Sequence, residues 1–353
     1  MGMETVFDYV KKYGGKTFRE KGFNDIDNLV FSMIAYLDFS VTHIHNGHMP
    51  LSEVAREYFE AKKMRDIRKK GIGTLDGYKM FNAIKDLPRY KDVIVTDYEY
   101  KANIDMQFGA VAFQLTEDLA YIAFEGTDQR VSSWREDMEL ACSFPVPAHV
   151  LAVEFLNRNI KTMGPKVIAG GHSKGGNLAL VACMYMSYFK RRRILRIYSN
   201  DGPGLRRKEF ESKHYRNVRD KYVHFVPEKS YIGMMLLQDK YSTIKSSSNG
   251  ALCHQLSTWE VLDDRLRRGQ LSDSSKKLRA NIHHWLQRHD DSERRKLERA
   301  IFGTLEKAGI MTTHELLNIP NIVKILKGIK DIDEESRNLV IDMVKSGFLG
   351  LDS

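Results

Sequence analysis

The sequence predicts an α/β fold, a mostly parallel central sheet with helices on its faces, followed by a helical C-terminal extension. Two observations carry this. Short apolar runs rich in β-branched and aromatic residues alternate with helical stretches over the first part of the chain, and such alternation builds parallel sheets. From about Leu271 onward the strand signals stop. The 353 residues therefore divide into an expected α/β domain over 1–270 and an expected helical unit over 271–353.

The strands are read in order. Tyr121–Phe124, Val167–Ala169, Ile194–Tyr198 and Tyr222–Val226 are each short, apolar and bounded by Gly, Pro, Asp or Asn. Ala148–Asn159 and Asn177–Phe189 read as the helices between them. In the extension, Leu297, Ile301 and Leu305 recur at helical spacing and stop before Gly309. Asp333 then caps a second run that carries Leu339, Val340, Met343 and Val344.

Composition narrows the function. Aromatic residues at 10% and only 8 prolines exclude a disordered chain. The net charge of +9 favours anionic partners, but no basic stripe marks a specific nucleic-acid surface. Three widely spaced cysteines argue against a disulfide framework and fit a reducing compartment. No run reaches membrane-span length and the N-terminus lacks a signal-peptide core, so a cytoplasmic location is expected.

The sharpest motif is Gly171-His172-Ser173-Lys174-Gly175, between an apolar strand and a helix. That context is the one a nucleophile elbow requires: a serine on a tight turn, with glycines where strand and helix pass close by. A Walker A loop is excluded, because Lys174 is followed by Gly175 rather than Ser or Thr. A plain glycine-rich turn explains the glycines but not the serine between them.

A second segment, Ala123-Phe124-Glu125-Gly126-Thr127-Asp128 with Trp134-Arg135-Glu136-Asp137, resembles the oxyanion-hole strand end and W-x-x-D of class 3, fungal-type lipases. The match is closer to a family of bacterial lipase-like proteins. Its motifs correspond to Gly126-Thr127-Asp128, Trp134–Asp137, Gly171–Asn177, Asn200-Asp201-Gly202-Pro203-Gly204 and His254-Gln255 with Ser257-Thr258-Trp259. The resemblance runs from about Asp27-Asn28-Leu29 into the helical C-terminus. Two positions depart from it: Glu125 stands where Arg is usual, and His254-Gln255 reverses the usual order. The resemblance implies an α/β-hydrolase fold and a serine hydrolase acting on carboxylic esters, lipid-like ones included, with thioesters open.

Such a serine needs a base, and the base needs an orienting acid, in the chain order Ser, acid, His. His254 is the expected base, since it lies beyond the last strand and matches the family's late histidine. His214 and His224 are its rivals, and His224 sits within a strand. Asp201 is the expected acid, directly after the strand Ile194–Ser199, with Glu228 and Asp239 as alternatives. The backbone amides of Thr127 and Lys174 are the expected oxyanion hole, and the Thr127 hydroxyl is a possible third donor. Asp128 and Asp137 are expected to brace the loop. The Lys174 side chain is expected either to touch an anionic substrate or to lie exposed at the helix start. No metal or organic cofactor is required.

Three weaker signals remain. His43-x-His45-x-x-His48 has ligand-type residues but no acid or cysteine to complete a metal site. Ile232–Leu237 reads as core packing or as an acyl pocket rich in Met. The basic runs Lys190–Arg193 and Arg206–Lys208 read as solvated loops or as weak contacts to an anionic membrane surface. The competing functional reading is a non-catalytic binding protein on a hydrolase scaffold.

Overall fold

The computed structural model describes residues 3–46, 48–68, 70–103, 106–312, 315 and 318–349, with the backbone alone at 45, 46, 319, 348 and 349. The strands are β1 (Glu4–Thr5), β2 (Met49–Pro50), β3 (Ile94–Ala102), β4 (Gln107–Thr116), β5 (Leu119–Phe124), β6 (Lys166–His172), β7 (Ile194–Asn200), β8 (Tyr222–Pro227), β9 (Ser242–Ile244), β10 (Glu260–Leu262) and β11 (Arg265–Leu266). Strands β2 to β9 form one sheet in sequence order, and β1, β10 and β11 form a small separate one. β2 to β5 pair antiparallel, and β5 to β9 pair parallel.

The parallel half explains the continuous apolar strands of the sequence. A central parallel strand is covered on both faces and so has no polar alternation. Val167–His172 of β6 is buried throughout. On one face, helix Asp25–Ile34 packs Phe31 against Tyr121 and Phe113. On the other, helices Pro147–Thr162 and Lys174–Met184 bury Phe155, Leu178 and Val181 with Phe124 and Ile197. The predicted helix Asn177–Phe189 starts earlier, at Lys174, and stops at Met184; Tyr188–Arg191 is a separate turn. The long hairpin β3–β4, which precedes the first predicted strand, was not anticipated.

From Asp273 the described residues are helical: Asp273–Arg288, Asp291–Lys307, Ile319–Asp331, Glu334–Asp342 and a wider turn over Met343–Leu349. Asp333 caps its helix by accepting from the Ser336 amide. This unit is tied to the sheet part by polar bonds: His283 Nε2 donates to the Leu236 carbonyl at 2.7 Å, and Arg294 to that of Ala141 at 3.0 Å. No helix among the described residues is long and apolar enough to cross a membrane.

A buried ion pair fastens helix Asp25–Ile34 to the chain before β2 and after Ile84. Arg89 donates to both oxygens of Asp27, at 2.8 and 2.6 Å, and to the carbonyls of Lys21 and Gly22. Both side chains are wholly buried. Removing one partner strands the other charge, so Arg89→Ala is expected to destabilise by about 3–5 kcal/mol in urea unfolding. A loss below about 1 kcal/mol would contradict this account.

Candidate active site

The site lies at the carboxyl ends of β5, β6 and β7, where open α/β sheets place their ligands. Ser173 follows β6 with φ +55° and ψ −131°, a conformation that L-residues adopt only under constraint. Two hydrogen bonds close the turn: the Ser173 amide donates to Asn200 O at 2.9 Å, and the Gly176 amide donates to Ser173 O at 2.9 Å. A Cβ on Gly171 would meet Gly175 carbonyl carbon at 2.4 Å, and one on Gly175 would meet Phe124 O at 2.1 Å. The glycines flanking the serine are therefore imposed by the close passage of β5, β6 and the helix. Helix Lys174–Met184 begins directly after the serine, and its first-turn amides have no partner within the helix.

Asp201 follows β7, also at positive φ (+50°), with its amide bonded to Phe225 O at 2.7 Å. Its carboxylate is buried and fully partnered. Oδ1 accepts from Ser230 Oγ and from the Gly233 amide at 3.1 Å, and Oδ2 faces His254 Nδ1 at 2.7 Å. The carboxylate fixes the proton of His254 on Nδ1, which leaves the Nε2 lone pair free. Glu228 and Asp239 lie elsewhere. Glu228 accepts from the Gln270 amide at 3.3 Å, and Asp239 pairs with Arg219 and Tyr215. Of the rival histidines, His224 is buried within β8, where burial pushes it down to about 4, and His214 faces Met184 O.

His254 is held beside the serine turn by the residue before the serine. The His172 ring lies 4.3 Å from the His254 ring, and its Nε2 donates to the His254 carbonyl at 2.8 Å. Its Nδ1 then accepts from the Tyr36 hydroxyl at 2.8 Å, and that oxygen packs closely against Gly126. Burial holds His172 well below the usual histidine range, so it stays neutral. Tyr36 and His172 thus connect the loop at Gly126 to the backbone of His254. Among the described residues no hydrogen bond joins Ser173 Oγ to His254. Such bonds often tighten only when substrate is bound.

Two expectations are corrected. The Lys174 side chain neither reaches substrate nor lies in solvent. It is 1% exposed, and its Nζ donates to Glu136 Oε2 at 2.8 Å, Gln107 O at 2.7 Å and Gln107 Oε1 at 2.9 Å. A buried ammonium needs such a cage, and the Trp134–Asp137 segment supplies the counter-charge. The Thr127 hydroxyl is not a free third donor, because it donates to Asp137 Oδ2 at 2.6 Å. Asp128 holds the same loop through the Arg130 amide at 2.9 Å and Ser133 Oγ at 2.7 Å. Burial pushes Asp137 up to about 6, against the pull of Lys174.

Glu125, the departure from the usual Arg, is buried in this cluster. Burial first and Asp128 second push it up to about 8, against the pull of Lys174. It is therefore mostly protonated at neutral pH and adds no charge to the loop. Between its ordinary value near 4.5 and about 8 the folded chain keeps a proton that the unfolded chain releases. Stability from this group is full at acid pH and lost as pH rises through about 8. Glu125→Gln is expected to remove that slope, by at most about 1.4 kcal/mol per pH unit, and to be the more stable form above it. Unfolding followed against pH tests this; an unchanged slope in the variant would contradict it.

The segment Ile232–Leu237 helps hold Asp201. Gly233 bonds Asp201, Met234 packs on Val226 and Leu271, and Leu236 joins the main core. A cleft of about 800 Å³ borders Leu236 and Leu237 beneath Arg206 and helix Asp273–Arg288, but none of Ser173, Asp201 and His254 lines it. A narrow pocket on the histidine side is lined by Met33, Tyr36, Asp76, His172 and Gln255. His43 pairs with Glu57 at 3.1 Å, the side chain of His45 lies outside the described residues, and no group of three or more metal-binding side chains occurs among those described. Of the basic runs, Arg193 is spent on the carbonyls of Ile160, Met163 and Gly164, Lys190 on Asn157 and Arg206 on Asp291.

The model of the Mbeg1-like family matches residues 84–303, more than half of the chain. The chain belongs to the Mbeg1-like family. The matched range contains Glu125–Asp137, Ser173, Asp201 and His254. The family is lipase-like, which suggests a hydrolase. Among curated proteins none matches the chain.

The sequence alone did not disclose Tyr36, Ser230 and Gly233, which hold His172 and Asp201. No spacing signal marks them: Tyr36 follows the helix Asp25–Ile34, and Ser230 and Gly233 lie together in the segment between β8 and β9.

Proposed function

We propose that the protein is a serine hydrolase of the α/β-hydrolase fold that cleaves carboxylic esters of lipid-like substrates. The single observation that supports this most is the Asp201–His254 pair at 2.7 Å beside a serine held at φ +55°. In this reading His254 Nε2 takes the Ser173 proton as Oγ attacks the acyl carbonyl. Asp201 stabilises the imidazolium that forms. The amides of Thr127 and Lys174 hold the oxyanion; two such donors act where charge develops. The imidazolium returns the proton to the leaving alcohol, and water releases the acyl-enzyme by the same route. Residues 1–270 then form the catalytic domain, and the helices from 271 an extension.

A panel of acyl esters and thioesters of graded chain length tests the proposal. Turnover of at least one ester, lost in His254→Ala, is expected. A folded protein that cleaves none of them would overturn it and favour the non-catalytic binding reading.

A further inference from the structure

The helix Ile319–Asp331 is only partly covered by the rest of the protein. Its inner side packs at Gly328, where a Cβ would meet the Thr304 side chain at 2.6 Å, and at Ile325, which joins Val131, Leu305 and Ile310. At 3.6 residues per turn, Leu326 lies about 160° and Val323 about 140° away from Gly328. Ile322, Val323 and Leu326 are 41%, 47% and 56% exposed. The apolar arc of this helix is thus wider than the surface it docks on. Lys330 falls between Leu326 and Val323 and Lys327 next to Val323, so two exposed lysines lie in and beside the uncovered arc, and Asp331 is the helix's one carboxylate.

Two further exposed apolar side chains border the same small cluster. Met311 is 65% exposed, and its carbonyl accepts from Val131 at 2.9 Å. Trp134, 50% exposed, donates its indole N–H inward to Asp128 O at 3.2 Å and leaves its ring outside. Met311 and Trp134 thus lie by the loop that follows Thr127.

We infer that this face docks on an anionic lipid surface, with Leu326, Val323 and Ile322 entering the headgroup boundary and Lys327 and Lys330 meeting the phosphates. An apolar arc flanked by lysines on a short helix is the arrangement that binds in the plane of a membrane rather than across it. The chain's net charge of +9 adds to the attraction. The choice of a lipid surface rests on the reading of the site as one for lipid-like esters, which docking would bring to the carboxyl end of the sheet.

The test is flotation of the full chain with vesicles of phosphatidylcholine alone or mixed with phosphatidylglycerol. The protein should float with the mixed vesicles and not with phosphatidylcholine alone. The double variant Lys327→Gln, Lys330→Gln should bind on the order of thirtyfold more weakly. Leu326→Ser with Val323→Ser should also weaken binding, with thermal unfolding unchanged because these side chains are exposed. Ser173→Ala should float like the wild type, and the helix variants should label with a fluorophosphonate like the wild type, so failure of docking is separable from failure of catalysis. The inference is overturned by no flotation, by equal flotation with phosphatidylcholine alone, or by variants that bind like the wild type. It is equally overturned by a dimer in light scattering that Leu326→Ser dissolves without any vesicle binding, which would make a second copy the occupant.

Discussion

Ser173→Ala is expected to lower turnover of a cleaved acyl ester by about three to six orders of magnitude while leaving the fold intact. On the proposed mechanism the serine is needed as a nucleophile but not as a packing group. Its turn is closed by backbone bonds, Ser173 N to Asn200 O and Gly176 N to Ser173 O, both retained by alanine. The residual rate would come from the amides at Thr127 and Lys174 and from substrate binding alone. Unchanged turnover would remove Ser173 from the mechanism. Loss of turnover together with loss of cooperative unfolding would make the variant uninformative, so unfolding is measured alongside and Ser173→Cys serves as the second variant. A thiol at this position keeps a nucleophile and should still be acylated by an activated ester.

Asp201→Asn is expected to cost about four orders of magnitude in turnover. An amide at this position can present its NH₂ to His254 Nδ1, which forces the proton to Nε2 and takes away the lone pair that should accept from serine. The geometry makes the effect specific. Glu228 is engaged with the Gln270 amide and Asp239 with Arg219, so Glu228→Gln and Asp239→Asn should stay within about tenfold of the wild type. A crippled Glu228→Gln beside a near-normal Asp201→Asn would move the acid to the strand β8 end. Turnover of the three variants on one ester, with unfolding curves for each, decides the matter.

The parts of the fold legible in the sequence were those fixed locally. The buried strands β5 to β8 were visible as apolar runs, because a parallel strand covered on both faces has no other pattern available. The turn at Ser173 was visible because Gly171 and Gly175 cannot carry a Cβ there. The choice of acid was open in the sequence, since Asp201, Glu228 and Asp239 all lie between the serine and His254, and only the path of the chain through Ser230 and Gly233 brings one of them to the imidazole. Lys174 misled because a charged residue at a helix start is ordinarily solvated; its burial depends on Glu136, which is 38 residues away. The two motifs that carry Lys174 and Glu136 are joined by that ion pair, and their joint presence is the signal that was readable. The hairpin β3–β4 and the helix Ile319–Asp331 were missed for opposite reasons. The first mixes charged residues such as Asp97, Glu99 and Lys101 into an exposed strand end, and the second has apolar spacing that was present but unread.

The most direct test of the account is the site of attack by a fluorophosphonate. After reaction of the full chain, peptide mass spectrometry should find the phosphonyl adduct on Ser173, formed far more slowly in His254→Ala. An adduct on another residue, or a folded and unreacted wild type, would contradict the claim that the His254–Asp201 pair activates this serine.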